Sequence, residues 1–122
     1  MTISKIFLPI ILFILTIAAG FWVSKNGKPY NTGIFTLHKL LALAAVILAA
    51  IVIAGLVKAV PLQSVIILLL VMASLSVVAL FATGALMSIQ KTVDSVWLFI
   101  HRIAPFLLAS SVGTILYTLL KK

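Results

Sequence analysis

Cysteine is missing from this 122-residue chain, and acidic residues are nearly missing, since one Asp stands against nine Lys and Arg. Without cysteine the chain can form no disulfide, no thiolate metal site and no cysteine-bound iron–sulfur cluster. Asp94 lies between apolar segments, so a proton pump driven by an intramembrane carboxylate, as in small multidrug exporters, is excluded. The sequence also lacks a Ser/His/Asp arrangement, a phosphate-binding loop and a carboxylate pair, which excludes hydrolytic and phosphoryl-transfer enzymes.

Charge of any kind is scarce: charged residues make up 8% of the chain and hydrophobic residues 65%. Soluble domains carry about 25% charged residues, so this chain could hardly build a surface that faces water. The composition therefore predicts an integral membrane protein. The net charge of +8 would suggest nucleic acid in a soluble protein, but these cations lie at or near the ends of apolar runs. Cations border a lipid bilayer in this way, and we expect no nucleic-acid partner.

Four apolar segments are long enough to cross a bilayer, at about 6–23, 33–57, 62–89 and 95–120. Their short connections predict an all-α, up-down four-helix transmembrane bundle that forms one domain, 1–122. Pro61 is expected in the first turn of the third helix. The first segment could also be read as a signal peptide, but its apolar core is long and Trp22 resembles an interfacial anchor, so we interpret it as a retained helix.

This topology places both termini on one side of the membrane. The side with the termini carries four cations, Lys5, Lys58, Lys121 and Lys122. The opposite side carries five, Lys25, Lys28, Lys39, Lys91 and Arg102. If Lys39 and Arg102 serve another purpose, the count leans towards cytoplasmic termini, with the plasma membrane as the expected location.

His38 and His101 are the residues with the most evident chemistry. Each lies six residues after a Thr or Ser and seven after Asn31 or Asp94, all good N-cap types, and each is followed directly by a cation. An offset of 63 residues therefore superimposes the two regions, as in a parallel repeat of two helical hairpins. A pseudo-twofold axis along the membrane normal would turn the two imidazoles towards each other.

Two facing imidazoles in an apolar bundle predict the axial ligands of one haem b. Lys39 and Arg102, which follow the histidines, could pair with the haem propionates. Small residues on the face of His38, chiefly Ala42 and Ala45, would leave room for the macrocycle. Pro105 cannot donate a hydrogen bond to the carbonyl of residue 101 and is expected to kink the fourth helix and widen the slot.

Two other readings of the histidines stay open at this point. They could line a quinone or lipid-headgroup site without haem, or they could be structural residues that only form hydrogen bonds. A chain with so little mass outside the membrane could also be a non-catalytic anchor or assembly subunit of a larger complex.

The four spans with short loops, together with the His38-Lys39 and His101-Arg102 pairs, resemble the four-helix b-type membrane cytochromes, the group that includes b561-type and ferric-reductase-like proteins. That resemblance implies haem binding and electron transport. Those families typically carry four helix histidines and two haems, whereas this chain has two histidines. The resemblance therefore implies one bis-histidine haem that exchanges electrons at one membrane face with quinone or a partner redox protein. The chain could act as a homodimer or within a larger complex.

Overall fold

A computed structural model describes residues 3–121, and the fold is all-α as predicted. The described chain consists of four helices, α1 (Ile3–Asn26), α2 (Thr32–Val57), α3 (Ser64–Ile89) and α4 (Ser95–Lys121). No strand occurs between residues 3 and 121. Lys122, counted above among the cations, lies outside the described residues.

All four helices are long and apolar enough to cross a membrane, with spans of 23, 26, 26 and 27 residues. A 26-residue helix is about 39 Å long at 1.5 Å per residue, which exceeds the roughly 30 Å of a hydrocarbon core. Large apolar side chains are exposed on every helix, as a lipid-facing surface requires; examples are Phe21, Leu40, Leu75 and Phe106. The chain is therefore a multi-pass membrane protein.

The chain divides into two compact units, Met1–Leu56 and Val57–Lys122. The first holds α1 and nearly all of α2, here called the first hairpin. The second holds α3 and α4, here called the second hairpin. Each hairpin is closed by a five-residue loop, 27–31 or 90–94, which makes its two helices antiparallel neighbours. That these hairpins form one domain stays a prediction.

The loops end on capping residues at matching positions. Asn31 Oδ1 accepts a hydrogen bond from the Ile34 amide at 3.1 Å, and Asp94 Oδ1 accepts one from the Val96 amide at 2.8 Å. Gly27, at φ 68°, ends α1 and donates its amide to a carbonyl of the preceding turn. The 63-residue offset between the two N-caps is therefore present in the structure.

The second hairpin packs through one stripe of each helix. The buried positions recur every three, four or seven residues on α3 and every three or four on α4: Ile66, Ala73, Ser76, Thr83 and Met87, with Ala104, Leu108, Ser111, Ile115 and Leu119. Such spacing is typical of antiparallel helices packed side by side. Two buried hydroxyls in this seam donate within α3: Ser76 to the Met72 carbonyl at 2.9 Å and Thr83 to the Ala79 carbonyl at 2.6 Å.

The start of α3 differs from the sequence prediction. The helix begins at Ser64 with Gln63 as its N-cap, and the Gln63 carbonyl accepts the first helical bonds from the amides of residues 66 and 67. Pro61 lies in the preceding connection instead of the first turn. A proline restrains the residue before it to extended backbone, which fits a connection as well as a helix start.

The cap of α4 gives a first prediction. Asp94→Ala removes the acceptor for the Val96 amide, and we expect it to lower the free energy of unfolding by about 1 kcal/mol. Asp94→Asn keeps an acceptor oxygen and should behave as wild type. Denaturation of the purified protein in detergent, followed by circular dichroism, measures both. Equal losses in the two variants would show that the carboxylate charge matters and the cap bond does not.

Candidate functional site

The imidazole of His38 is held inside the first hairpin by a main-chain oxygen of α1. His38 Nδ1 lies 2.9 Å from the Thr16 carbonyl oxygen. A carbonyl oxygen only accepts, so Nδ1 is the donor and carries a proton. The His38 side chain is half-buried, six residues into α2, which is about 9 Å from the start of the helix.

The imidazole of His101 is held inside the second hairpin, but by a side chain. His101 Nδ1 lies 2.9 Å from Thr83 Oγ1. The hydroxyl of Thr83 has one proton, and Oγ1 lies 2.6 Å from the Ala79 carbonyl oxygen, which can only accept. The hydroxyl therefore donates to that carbonyl, and its oxygen accepts from Nδ1. His101 Nδ1 carries a proton as well.

Both rings therefore have the same tautomer when they are neutral. With the proton on Nδ1, the lone pair is on Nε2. Histidine ligands of metals are typically held in this way, with one ring nitrogen donating to an oxygen of the protein and the other bonding the metal. The arrangement orients each ring and leaves Nε2 as the basic atom.

A glycine on the preceding helix makes room for each ring. A Cβ built on Gly20 would lie 2.9 Å from His38 Cε1, and one built on Gly84 would lie 3.3 Å from His101 Cε1. Both distances are shorter than ordinary carbon–carbon contacts of about 3.5–4.0 Å. In both hairpins, imidazole carbon thus packs against helix backbone.

The cations next to the histidines are exposed. Lys39 extends back along α2, with Nζ 4.6 Å from the centroid of the Phe35 ring. Phe35 lies one turn nearer the start of α2, so Lys39 directs its charge towards the loop end of the helix. Arg102 holds the equivalent position on α4 and is exposed too.

The residues predicted to shape a haem slot take different environments. Ala45 is buried and Ala42 is half-buried on α2. Pro105 is half-buried, and α4 continues through it as one helix, Ser95–Lys121. A role for these three in making room for a macrocycle stays a prediction.

An aromatic pair with two cations lies at the loop end of the first hairpin. The Tyr30 and Phe35 rings meet edge to face with their centroids 5.2 Å apart. Lys28 precedes this aromatic pair in the sequence and Lys39 follows it. Lys28 Nζ lies 4.4 Å from the centroid of the Tyr30 ring. Burial raises the pKa of the Tyr30 phenol. These contacts join the loop to the first turn of α2, on the loop side of His38.

Within residues 3–121 no three His, Asp or Glu side chains gather in a group that could hold a bare metal ion. A haem needs less from the protein, because the porphyrin supplies four of the iron's ligands and two imidazoles complete the set. Comparison of the chain with protein-family models, curated proteins and solved structures found no match in any of the three.

The sequence prediction singles out both histidines but not the residues that contact their rings. It gives no role in the site to Thr16, Gly20, Thr83 or Gly84. A usable signal existed: Gly20 and Thr83 each precede their histidine by 18 residues. A five-residue loop between antiparallel helices brings such positions opposite each other.

The glycines provide the second prediction. Gly20→Ala should lower the free energy of unfolding by about 1–3 kcal/mol because the methyl group would overlap the His38 ring. Gly84→Ala should cost less, since its closest approach is 0.4 Å longer, at 3.3 Å against 2.9 Å. Gly113→Ala is the control, because a Cβ at this α4 glycine meets nothing within 4 Å. Denaturation in detergent gives the order; a loss at Gly113 equal to that at Gly20 would contradict it.

Proposed function

We propose that the protein binds one haem b, with His38 and His101 as the two axial ligands, and exchanges electrons at one membrane face. The observation that carries the proposal is that Nδ1 of each ring lies within hydrogen-bond distance of an acceptor oxygen on the preceding helix. Thr16 O accepts from His38 and Thr83 Oγ1 accepts from His101, each at 2.9 Å. Nδ1 is therefore the donor in both rings, and Nε2 would be the basic atom that binds the iron.

The two histidines fit haem iron both in the type of ligand atom and in the number of ligands. Neutral imidazole is a standard axial ligand, and the chain offers two of them on apolar helices. Haem b, when bound, supplies one-electron exchange between its ferric and ferrous states, with a quinone or a partner redox protein as the other half of the reaction. The surrounding residues would bind and orient the group and exclude water from it.

Lys39 and Arg102 are the residues proposed to neutralise the two propionates. Both are exposed and each follows its histidine directly. The extension of Lys39 towards Phe35 places its ammonium nearer the loop end of α2, where anionic groups could remain close to water. Ala42, Ala45 and Pro105 are proposed to line the macrocycle.

Because the chain has a single pair of histidines, we propose electron exchange at one membrane face only. A haem near one face of a barrier of about 30 Å cannot by itself carry electrons across it. A quinone in the bilayer, or a redox protein at that face, would therefore supply or remove the electron, and the chain would act in a homodimer or a larger complex. We propose the plasma membrane as its location, with both termini cytoplasmic.

The absorption spectrum of the protein purified in detergent from haem-supplemented cells provides the third prediction. We expect a Soret band that sharpens on reduction with dithionite and a haem-to-chain ratio of one to one. His38→Ala and His101→Ala should each abolish the bis-histidine spectrum, because either change removes one axial nitrogen. Added imidazole should partly restore the spectrum by filling the vacated position.

Leu37→Ala, which changes an exposed side chain next to His38, is the matched control and should keep the wild-type spectrum. A colourless, folded wild-type protein would contradict the proposal and favour an anchor or assembly subunit. Loss of colour in only one histidine variant would contradict bis-histidine ligation and indicate a five-coordinate haem.

A further inference from the structure

We infer that Thr83 is the positioning residue of His101: its hydroxyl oxygen sets the tautomer of that ring, whereas the acceptor for His38 Nδ1 is a main-chain oxygen. The part of this inference that concerns the haem-free protein stands by itself. Its consequence for a bound haem rests on the proposed function.

The neighbours of the Thr83 hydroxyl oxygen determine where its proton points. Thr83 Oγ1 has three neighbours: the Ala79 carbonyl at 2.6 Å, the Leu80 carbonyl at 3.3 Å and His101 Nδ1 at 2.9 Å. Both carbonyl oxygens only accept, and the one at residue 79 is closest. The single proton therefore points to the α3 backbone, and the oxygen lone pairs face the imidazole.

Burial gives this bond its influence. The Thr83 side chain is only 3% exposed, so little water can replace the hydroxyl as a partner. A polar group that is buried without a hydrogen bond destabilises the folded protein, and the members of a chain of hydrogen bonds polarise one another. The chain here runs from His101 Nδ1–H to Thr83 Oγ1–H and on to the Ala79 carbonyl.

The first hairpin contains a threonine with the same local bond and a different relation to its histidine. Thr16 Oγ1 donates to the Leu12 carbonyl at 2.7 Å, much as Thr83 donates to the Ala79 carbonyl. The atom of Thr16 that accepts from His38 Nδ1 is its main-chain oxygen. Removing the Thr16 hydroxyl therefore leaves the imidazole acceptor in place, while removing the Thr83 hydroxyl deletes it.

The two histidines are consequently inequivalent. A hydroxyl that itself donates a hydrogen bond becomes a stronger acceptor. This acceptor for His101 is present only while residue 83 carries a hydroxyl. The neighbouring Gly84 provides the space in which the ring reaches this hydroxyl, with a built Cβ only 3.3 Å from His101 Cε1. Thr83 and Gly84 together thus orient His101, one by hydrogen bonding and one by shape.

The fourth prediction concerns the haem-free protein. In Thr83→Val, which keeps the shape and removes the hydroxyl, the His101 tautomer ratio should shift by roughly tenfold away from the Nδ1-protonated form. Nitrogen-15 NMR of histidine-labelled protein in detergent, above the pH range in which imidazole titrates, reads this ratio directly. The His101 signals are those that disappear in His101→Gln.

Two controls separate positioning from general damage. Thr83→Ser restores a hydroxyl and should return the wild-type ratio. Thr16→Val should leave the His38 signals unchanged. A wild-type His101 already protonated at Nε2, or an unchanged ratio in Thr83→Val, would overturn the inference.

The fifth prediction concerns the haem-loaded protein. Thr83→Val should weaken haem affinity by about tenfold, because outer partners of histidine ligands typically contribute that much to metal affinity. It should also raise the midpoint potential, since a less basic imidazole stabilises ferric iron less. Thr16→Val should change neither. If wild-type protein binds no haem, the proposed function fails, and the NMR ratios alone still decide the role of Thr83.

Discussion

The hydrogen bond from each imidazole Nδ1 to an oxygen on the preceding helix constrains the rest of the site. Hydrocarbon offers no water as a substitute partner, so a polar side chain within a membrane span must find an oxygen or nitrogen of the protein. The acceptor fixes which ring nitrogen carries the proton, and it also fixes the ring's direction. Gly20 and Gly84 follow from the same constraint, because a ring that reaches the neighbouring helix needs space there.

The hydroxyl side chains of the membrane spans form their hydrogen bonds differently from the two histidines. Thr16, Ser76 and Ser110 each donate to the carbonyl four residues earlier and so satisfy themselves within one helix. The imidazoles of His38 and His101 lie instead within hydrogen-bond distance of oxygens on the preceding helix. The two histidines therefore bond across a hairpin, which ties helix pairing to the chemistry of the ring and leaves Nε2 basic.

The charged residues are placed mainly at the ends of the helices. The described cations lie at or near the ends of the apolar spans, and Lys39 turns its ammonium back over Phe35 towards the loop. Asp94, the single acid of the sequence, accepts a hydrogen bond from the Val96 amide and caps α4. Extramembrane mass is small, so electron exchange would depend on a partner in or at the bilayer.

Much of this protein follows from its sequence by length, hydropathy and capping alone. Four apolar runs predict four spans, and Asn31 and Asp94 predict where α2 and α4 begin, which sets the depth of both histidines, because these are properties of a single segment. The start of α3 escaped prediction because Pro61 is compatible with both a connection and a first turn. The acceptors of the imidazoles needed the tertiary structure. Whether the main chain of Thr16 or the hydroxyl of Thr83 meets a ring depends on how two helices are rotated about their axes, and an apolar sequence with hydrophobic residues on every face leaves that rotation undetermined.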